Sequence, residues 1–150
     1  PNLTGPWNYG DTGYISLGQN QNGRFEPPLG TPFPTYWGQY LAASALAAGD
    51  VFVSTNVDGS GSSTLDNVSG YAAVTTNNRL AVWLLNKQPV PMTIRVSING
   101  FTPVGTGARK LYGPSDTISF TAPRTQGFTG MTANYTVTLP PWTIARDIMN

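Results

Sequence analysis

From residue 51 to the C-terminus, apolar and polar residues alternate with a period of two in short runs, and each run ends at a turn signal. No other feature constrains the fold as strongly, because successive side chains of a strand point to opposite faces. In 92–98, Met92, Ile94, Val96 and Ile98 alternate with Thr93, Arg95 and Ser97; Tyr135, Val137 and Leu139 repeat the pattern in 134–139. Residues 79–86 are apolar on both faces, as a strand covered on both sides would be. The spacing predicts strands at 51–55, 68–76, 79–86, 92–99, 109–112, 117–121, 134–139 and 143–148. Asn77-Asn78, Gln88-Pro89, Asn99-Gly100, Gly113-Pro114, Ala122-Pro123 and Pro140-Pro141 separate them, with longer loops expected at 58–67 and 123–133. Strands this short, joined by turns, indicate a mostly β fold: an antiparallel β-sandwich of about eight strands.

One segment departs from that period. Residues 35–48 are dominated by helix formers and carry no charge, with Thr35 as a candidate N-cap and Gly49 suited to the left-handed position past the end. Tyr36, Tyr40, Ala43 and Ala47 share one stripe, and Trp37, Leu41, Ser44 and Ala48 the next, so the helix is expected to be covered on most of its circumference. Residues 1–34 are punctuated by Gly5-Pro6, Pro27-Pro28 and Pro32-Phe33-Pro34, which predict irregular backbone. The same stretch holds Trp7, Tyr9, Tyr14, Phe25 and Phe33, too many aromatics for a disordered linker, so it is expected to wrap the sandwich. The whole of 1–150 reads as a single domain: wrap 1–34, helix 35–48, sandwich 51–150.

The composition excludes several kinds of chemistry. With no Cys and no His, the chain can form no disulfide, no thiolate or imidazole metal site, and no Ser-His-Asp or Cys-His nucleophile system. A net charge of +1 leaves no phosphate-neutralising surface, so no nucleic-acid partner is expected. The longest apolar stretch, 41–48, is far too short to span a bilayer, and no membrane partner is expected. The chain starts at Pro1 with no secretory h-region, and reads as an excised or processed piece. Low charge with abundant Asn, Thr, Ser and Gly leans toward an extracellular, secreted protein.

Glycoside hydrolysis needs two carboxyl groups about 5–10 Å apart. The chain has one glutamate, Glu26, and six aspartates. Glu26 and Asp11 share the irregular segment, but Glu26 beside Pro27-Pro28 reads as a solvated turn residue, and the chain is expected not to be an enzyme. The loop between Asp58 and Asp66 is short of carboxylates for calcium and reads as solvated; no metal and no cofactor are expected.

Three sequence pieces, in order, carry a resemblance. The first is Pro34-Thr35-Tyr36-Trp37-Gly38-Gln39-Tyr40-Leu41 followed by Gly49-Asp50-Val51-Phe52. The second is Tyr71-Ala72-Ala73-Val74 followed by 80–87. The third is Ile98-Asn99-Gly100-Phe101 followed by Leu139-Pro140-Pro141-Trp142-Thr143. Together they resemble the C-terminal β-sandwich accompanying many (β/α)-barrel glycoside hydrolases, such as family 44 endoglucanases and family 51 arabinofuranosidases, over most of the chain. By the same resemblance, Trp7-Asn8-Tyr9-Gly10-Asp11 is similar to the end of the last barrel strand, and the helix to the final barrel helix. The catalytic glutamates of such a barrel are absent. The resemblance implies a carbohydrate-enzyme context, a catalytic glycoside hydrolase domain as partner in the parent protein, and a carbohydrate-binding module.

A sugar ring offers an apolar face to a flat aromatic and a rim of hydroxyls to amides, carboxylates or guanidinium groups. Trp7, Tyr9 and Tyr14, among Asn8 and Asp11, are the first candidate platform, with Trp37 opening the helix beside them. If Leu80, Val82 and Leu84 face the core, then Trp83 faces outward, where Arg95 of the neighbouring run is expected beside it. Phe52, Tyr71, Phe101, Phe120 and Tyr135 fall in the core phase, and Trp142 reads as core or hinge packing. The expected function is a non-catalytic module binding a neutral polysaccharide, foremost a β-glucan. The rival is a structural accessory domain that packs on a barrel, binds no sugar, and shows an exposed apolar patch around the helix when isolated. A third reading, a small hydrolase using Glu26 and an aspartate, is the weakest.

Overall fold

The computed structural model describes Pro28 and residues 30–58, 67–118 and 121–150. Its elements are α1 (Pro34–Ala43), β1 (Val51–Val53), β2 (Val68–Val74), β3 (Leu80–Asn86), β4 (Met92–Ser97), β5 (Gly105–Tyr112), α2 (Pro114–Ile118), β6 (Arg124–Met131), β7 (Asn134–Leu139) and β8 (Ile144–Met149). Six strands form one sheet in the order β1-β2-β3-β8-β5-β6, and β4 pairs with β7 in a second; all pairings are antiparallel. The expected mostly β sandwich of eight strands is what the chain forms.

The main core lies between the sheets. Leu80, Val82 and Leu84 of β3, Ala145 and Met149 of β8, and Val137 and Leu139 of β7 are buried together, with Ile94 and Val96 of β4 packed against them. These are the residues that the alternation assigns to one face. The opposite face of the six-stranded sheet carries a smaller cluster of Ala73, Ala81 and Trp83, covered by Ala45 and Leu46 just past α1. The molecule therefore has three layers: helix side, large sheet, small sheet.

The helix is shorter than expected. It begins at Pro34, whose missing N–H and fixed φ suit the first helical position, with Phe33 rather than Thr35 at the N-cap position; a phenyl ring has no acceptor and makes no side-chain cap. It ends at Ala43 rather than near 48 because the chain turns to lay Ala45 and Leu46 on the sheet. The turn is fixed by Leu46 N–H donating to Ala43 O, Ala47 N–H donating to Asp50 Oδ2, and Gly49 at φ +95°. One carbonyl left open in the last helical turn, Leu41 O, accepts from the Trp83 indole. Leu41 is buried, yet Tyr36, Gln39, Ala42 and Ala43 are exposed, so the helix is covered on one side only.

Two further expectations fail at the C-terminal half. The strand expected at 117–121 gives way to α2, a five-residue helix. Pro114 opens it, and buried Asp116 accepts the Gly113 N–H while holding Arg124 by ion pair. The long loop expected at 123–133 contains strand β6, an edge strand whose alternation is obscured by Gly127 and Gly130. Phe128 of β6 lies across β5 at Gly107, where a Cβ would meet its ring at 2.2 Å and Ile148 O at 2.6 Å, so only glycine fits there.

Candidate functional site

Seen from the large sheet, the expected sugar-facing residues separate. Trp7, Asn8, Tyr9, Asp11 and Tyr14 lie outside the described residues, as do Glu26, Asp66 and Phe120. Trp83 does face away from the main core, as the phase requires, but it is 4% exposed. Its Nε1 donates to Leu41 O at 2.7 Å, and Phe52 lies over its ring at 6.1 Å between centroids. The helix side covers it, so it offers no face to a glycan. Arg95 is exposed on the outer face of the small sheet, opposite Thr136. The two were expected side by side; the sandwich holds them apart, because β3 and β4 belong to different sheets with the core between.

Trp37 is half-buried in an aromatic cluster on α1. It meets Tyr36 edge-on at 4.9 Å and Tyr40 edge-on at 5.6 Å, and its indole nitrogen is buried without a partner. Tyr40 continues the cluster toward the sheet. Lys110 Nζ donates to its hydroxyl at 2.7 Å, and Arg146 lies over its ring at 6.0 Å. The Lys110 hydrogen bond is the main reason that the Tyr40 hydroxyl titrates below the ordinary phenol range.

Three aromatics assigned to the core are at the surface instead. Phe52 and Tyr71 are 63% and 53% exposed, and Trp142 is 56% exposed. Phe52 is opposite Ala73 and Tyr71 opposite Trp83, which puts both on the helix side of the sheet, past the area that residues 45 and 46 cover. Tyr36 of α1 is a further exposed ring on this side. Phe52 and Tyr71 both lie on the face opposite the inter-sheet core to which they were assigned, and no described element covers them there: β1 is an edge strand of three residues, exposed on both faces. Trp142 is a different case. It occupies the β7–β8 turn with φ +51°, a backbone conformation that bulky residues seldom adopt. The Pro140-Pro141 pair before it marked the turn, but nothing in the alternation marked the exposure. Phe101 and Tyr135 do pack against the core as expected.

The described carboxylates are all committed to local contacts. Asp147 binds Arg109, Asp116 binds Arg124, Asp50 accepts the Ala47 and Thr76 N–H groups, and Asp58 accepts from Asn56. Backbone hydrogen bonds from Thr76 and Ala47 hold Asp50 below the usual carboxylate range. Among the described residues no group of three or more possible metal ligands occurs, and no helix is long and apolar enough to cross a membrane.

Similar folds occur within much longer enzymes. The chain superposes on a GH30 endoxylanase from Clostridium papyrosolvens C71 with a TM-score of 0.65 at 16% identity, covering 81% of this chain and 28% of that one. The catalytic domain of GH30 xylanase C from Talaromyces cellulolyticus matches with a TM-score of 0.64 at 18% identity, covering 91% and 27%. Cel44A, a GH family 44 endoglucanase from Clostridium thermocellum, matches with a TM-score of 0.54 at 21% identity, covering 77% and 23%. No protein-family model and no curated protein matches the chain. This chain thus spans about a quarter of the length of the solved structures it resembles. At these identities the likeness is one of fold: the β-rich domain described here has the architecture of a portion of family 30 and family 44 glycoside hydrolases.

Proposed function

We propose that the chain is a non-catalytic accessory β-sandwich of a secreted carbohydrate-active enzyme, packing through its helix side onto a catalytic domain. The observation that carries this reading is the exposure of Phe52 and Tyr71 on the helix-side face of the large sheet, with Tyr36 exposed on α1 itself, on a chain that spans about a quarter of the enzymes it resembles. Rings left exposed together on one side are the mark of an interface awaiting its partner. The commitment of every described aspartate to a structural contact fits a domain without chemistry of its own.

The isolated 150-residue chain is expected to self-associate through this side. Light scattering after size exclusion reads the mass, and a Phe52→Ser, Tyr71→Ser double variant should be monomeric where the parent is not. A parent chain that stays monomeric up to millimolar concentration removes the packing reading.

A second reading, that the domain itself binds a neutral polysaccharide such as a β-glucan, is favoured by one specific observation: the exposed ring of Trp142, on the β7–β8 turn. Flat aromatics on a rigid scaffold are what a pyranose face lies against.

A further inference from the structure

We infer that the end of the sandwich formed by the β3–β4 and β7–β8 loops is a stacking subsite for a neutral pyranose, with Trp142 as the platform. This deepens the second reading above and rests on its carbohydrate context, not on the packing role.

Its strongest support is that a strained and costly arrangement is built rigidly. Trp142 is 56% exposed, and its φ of +51° would suit glycine or asparagine better than a bulky ring. Such strain persists only where the surroundings determine it, and it gathers at functional positions. Here the surroundings are a single buried amide. Asn86 Nδ2 donates to Val90 O at 2.8 Å and Pro140 O at 2.8 Å, with Leu139 O at 3.2 Å. Its Oδ1 accepts the Gln88 N–H at 2.9 Å, and its own N–H donates to Thr143 O at 2.9 Å. One side chain thus ties both loops together. Trp142 N–H donates to Gln88 O at 3.1 Å, and Thr143 Oγ1 donates to Pro141 O at 3.0 Å. Behind the turn, Gly113 lets Thr143 approach so closely that a Cβ would lie 2.6 Å from its hydroxyl. A ring presented on such a base needs little ordering when a ligand arrives.

The chemistry of the surroundings selects the ligand. The β3–β4 loop carries one ionisable side chain, half-buried Lys87, and residues 139–143 carry none. The exposed neighbours are apolar or amide-bearing, Val90 and Pro140 with half-buried Gln88 between the loops. That is a surface for a ring with one apolar face and hydrogen-bonding hydroxyls at its edge, and it presents no carboxylate. A single indole accommodates one pyranose, so the subsite holds one unit of a longer chain.

The test is affinity electrophoresis of the full 150-residue chain in gels containing hydroxyethyl cellulose, xyloglucan, laminarin or arabinoxylan. The parent should be retarded by at least one of these. Trp142→Gly, which relieves the backbone strain, should keep or raise the melting temperature while lowering the association constant by about ten-fold or more, the scale of one lost stacking contact. Trp142→Asn, a second ringless variant that tolerates the left-handed conformation, should behave alike, and Trp142→Tyr should retain most of the binding. The Phe52→Ser, Tyr71→Ser variant should bind like the parent. No retardation of the parent in any gel overturns the inference, as does undiminished binding by both ringless variants or a loss confined to the Phe52, Tyr71 variant. The packing role stands or falls separately, on the mass of the isolated chain.

Discussion

Arg146 and Asp147 are neighbours in β8, and the pleat sends them to opposite faces of the large sheet. Their register partners in β5 are equally adjacent: Arg109 is opposite Asp147, and Lys110 is opposite Arg146. On the inner face this makes a cation against an anion. Arg109 reaches Asp147 with two bonds of 2.6 Å, and Tyr135 of β7 crosses from the small sheet to donate to Asp147 Oδ2 at 2.9 Å. Burial alone would lower the Arg109 pKa, but the Asp147 hydrogen bonds and charge outweigh it and hold the guanidinium more firmly charged. On the outer face the same ladder sets two cations opposite each other, an unfavourable pair. Arg146 is 5% exposed, bonds Ser44 through one terminal nitrogen, and leaves its Nε without a partner, as does Arg79. Burial pulls the Arg146 pKa down, the Tyr40 ring opposes it, and the nearby Arg79 charge adds to the fall.

The difference separates two kinds of polar layer. The inner cluster is complete, ties one sheet to the other, and has no group left over for a ligand. The outer seam between sheet and helix has surplus positive charge and orphaned donors; one carboxylate, Asp50, feels the Arg79 charge but accepts from the Thr76 and Ala47 N–H groups instead of pairing with it. This seam lies on the side where Phe52 and Tyr71 are also uncovered. Unfinished polar and unfinished apolar packing thus share one side of the molecule.

The sharpest way to break this comparison is to remove the anion of the complete cluster. Asp147→Ala leaves the largely covered Arg109, 14% exposed, without its anion, and should lower the unfolding free energy by about 3–5 kcal/mol. Urea unfolding followed by tryptophan fluorescence measures it. A loss below about 1 kcal/mol would mean that solvent reaches Arg109 and that the inner layer is no more finished than the outer.

Tyr135→Phe tests the bridge between the sheets, and the expected loss is smaller, about 1.5–3 kcal/mol at neutral pH for a hydrogen bond to a charged acceptor. Burial above all, with the Asp147 charge and hydrogen bond, raises the Tyr135 pKa well above the ordinary phenol range. A group whose folded pKa is raised contributes stability that is whole below its unfolded pKa and is lost as pH rises beyond it. The gap between parent and Tyr135→Phe should therefore be constant from pH 6 to 9 and narrow above about 10. A gap independent of pH up to 11 would place Tyr135 in solvent rather than on Asp147.

How much of this was legible follows from what alternation encodes. It encodes which residues of a strand share a face, so the core face of β3, β4 and β7 and the outward phase of Trp83 were readable from spacing alone. It does not encode which strands share a sheet. Arg95 was therefore set beside Trp83, although β8 and not β4 is the neighbour of β3. Nor does it encode cover: Phe52 shares the Trp83 face of the large sheet, on an edge strand that no described element covers. β6 escaped notice because an exposed edge strand with two glycines need not alternate, and α2 because a single buried aspartate cap, not periodicity, makes it. The exposure of Trp142 depends on a network centred on Asn86, 56 residues earlier in the chain, whose hydrogen bonds exist only after the sheets form. The unequal charge layers were invisible for the same reason, since Arg109 and Lys110 give no sign of which one meets an anion.

The smallest effect is expected where the outer seam is altered. Arg146→Met keeps an unbranched apolar stem while removing a buried cation that lies over Tyr40, faces Lys110 and lacks a full set of acceptors. The change forfeits the charge-assisted bond to Ser44, worth about 1.5–3 kcal/mol, and relieves both the desolvation of the charge and the like-charge pair. These terms oppose each other, so stability should move by no more than about 1 kcal/mol, in either direction, where an arginine of a completed ion pair would cost several. Equality of the Arg146→Met and Arg109→Met losses, measured side by side in urea, would end the distinction between the two faces. A small Arg146 effect beside a large Arg109 one would sharpen it: the cation on the helix side would then be held in place without being needed by the isolated domain, available to an acidic group on whatever covers that side.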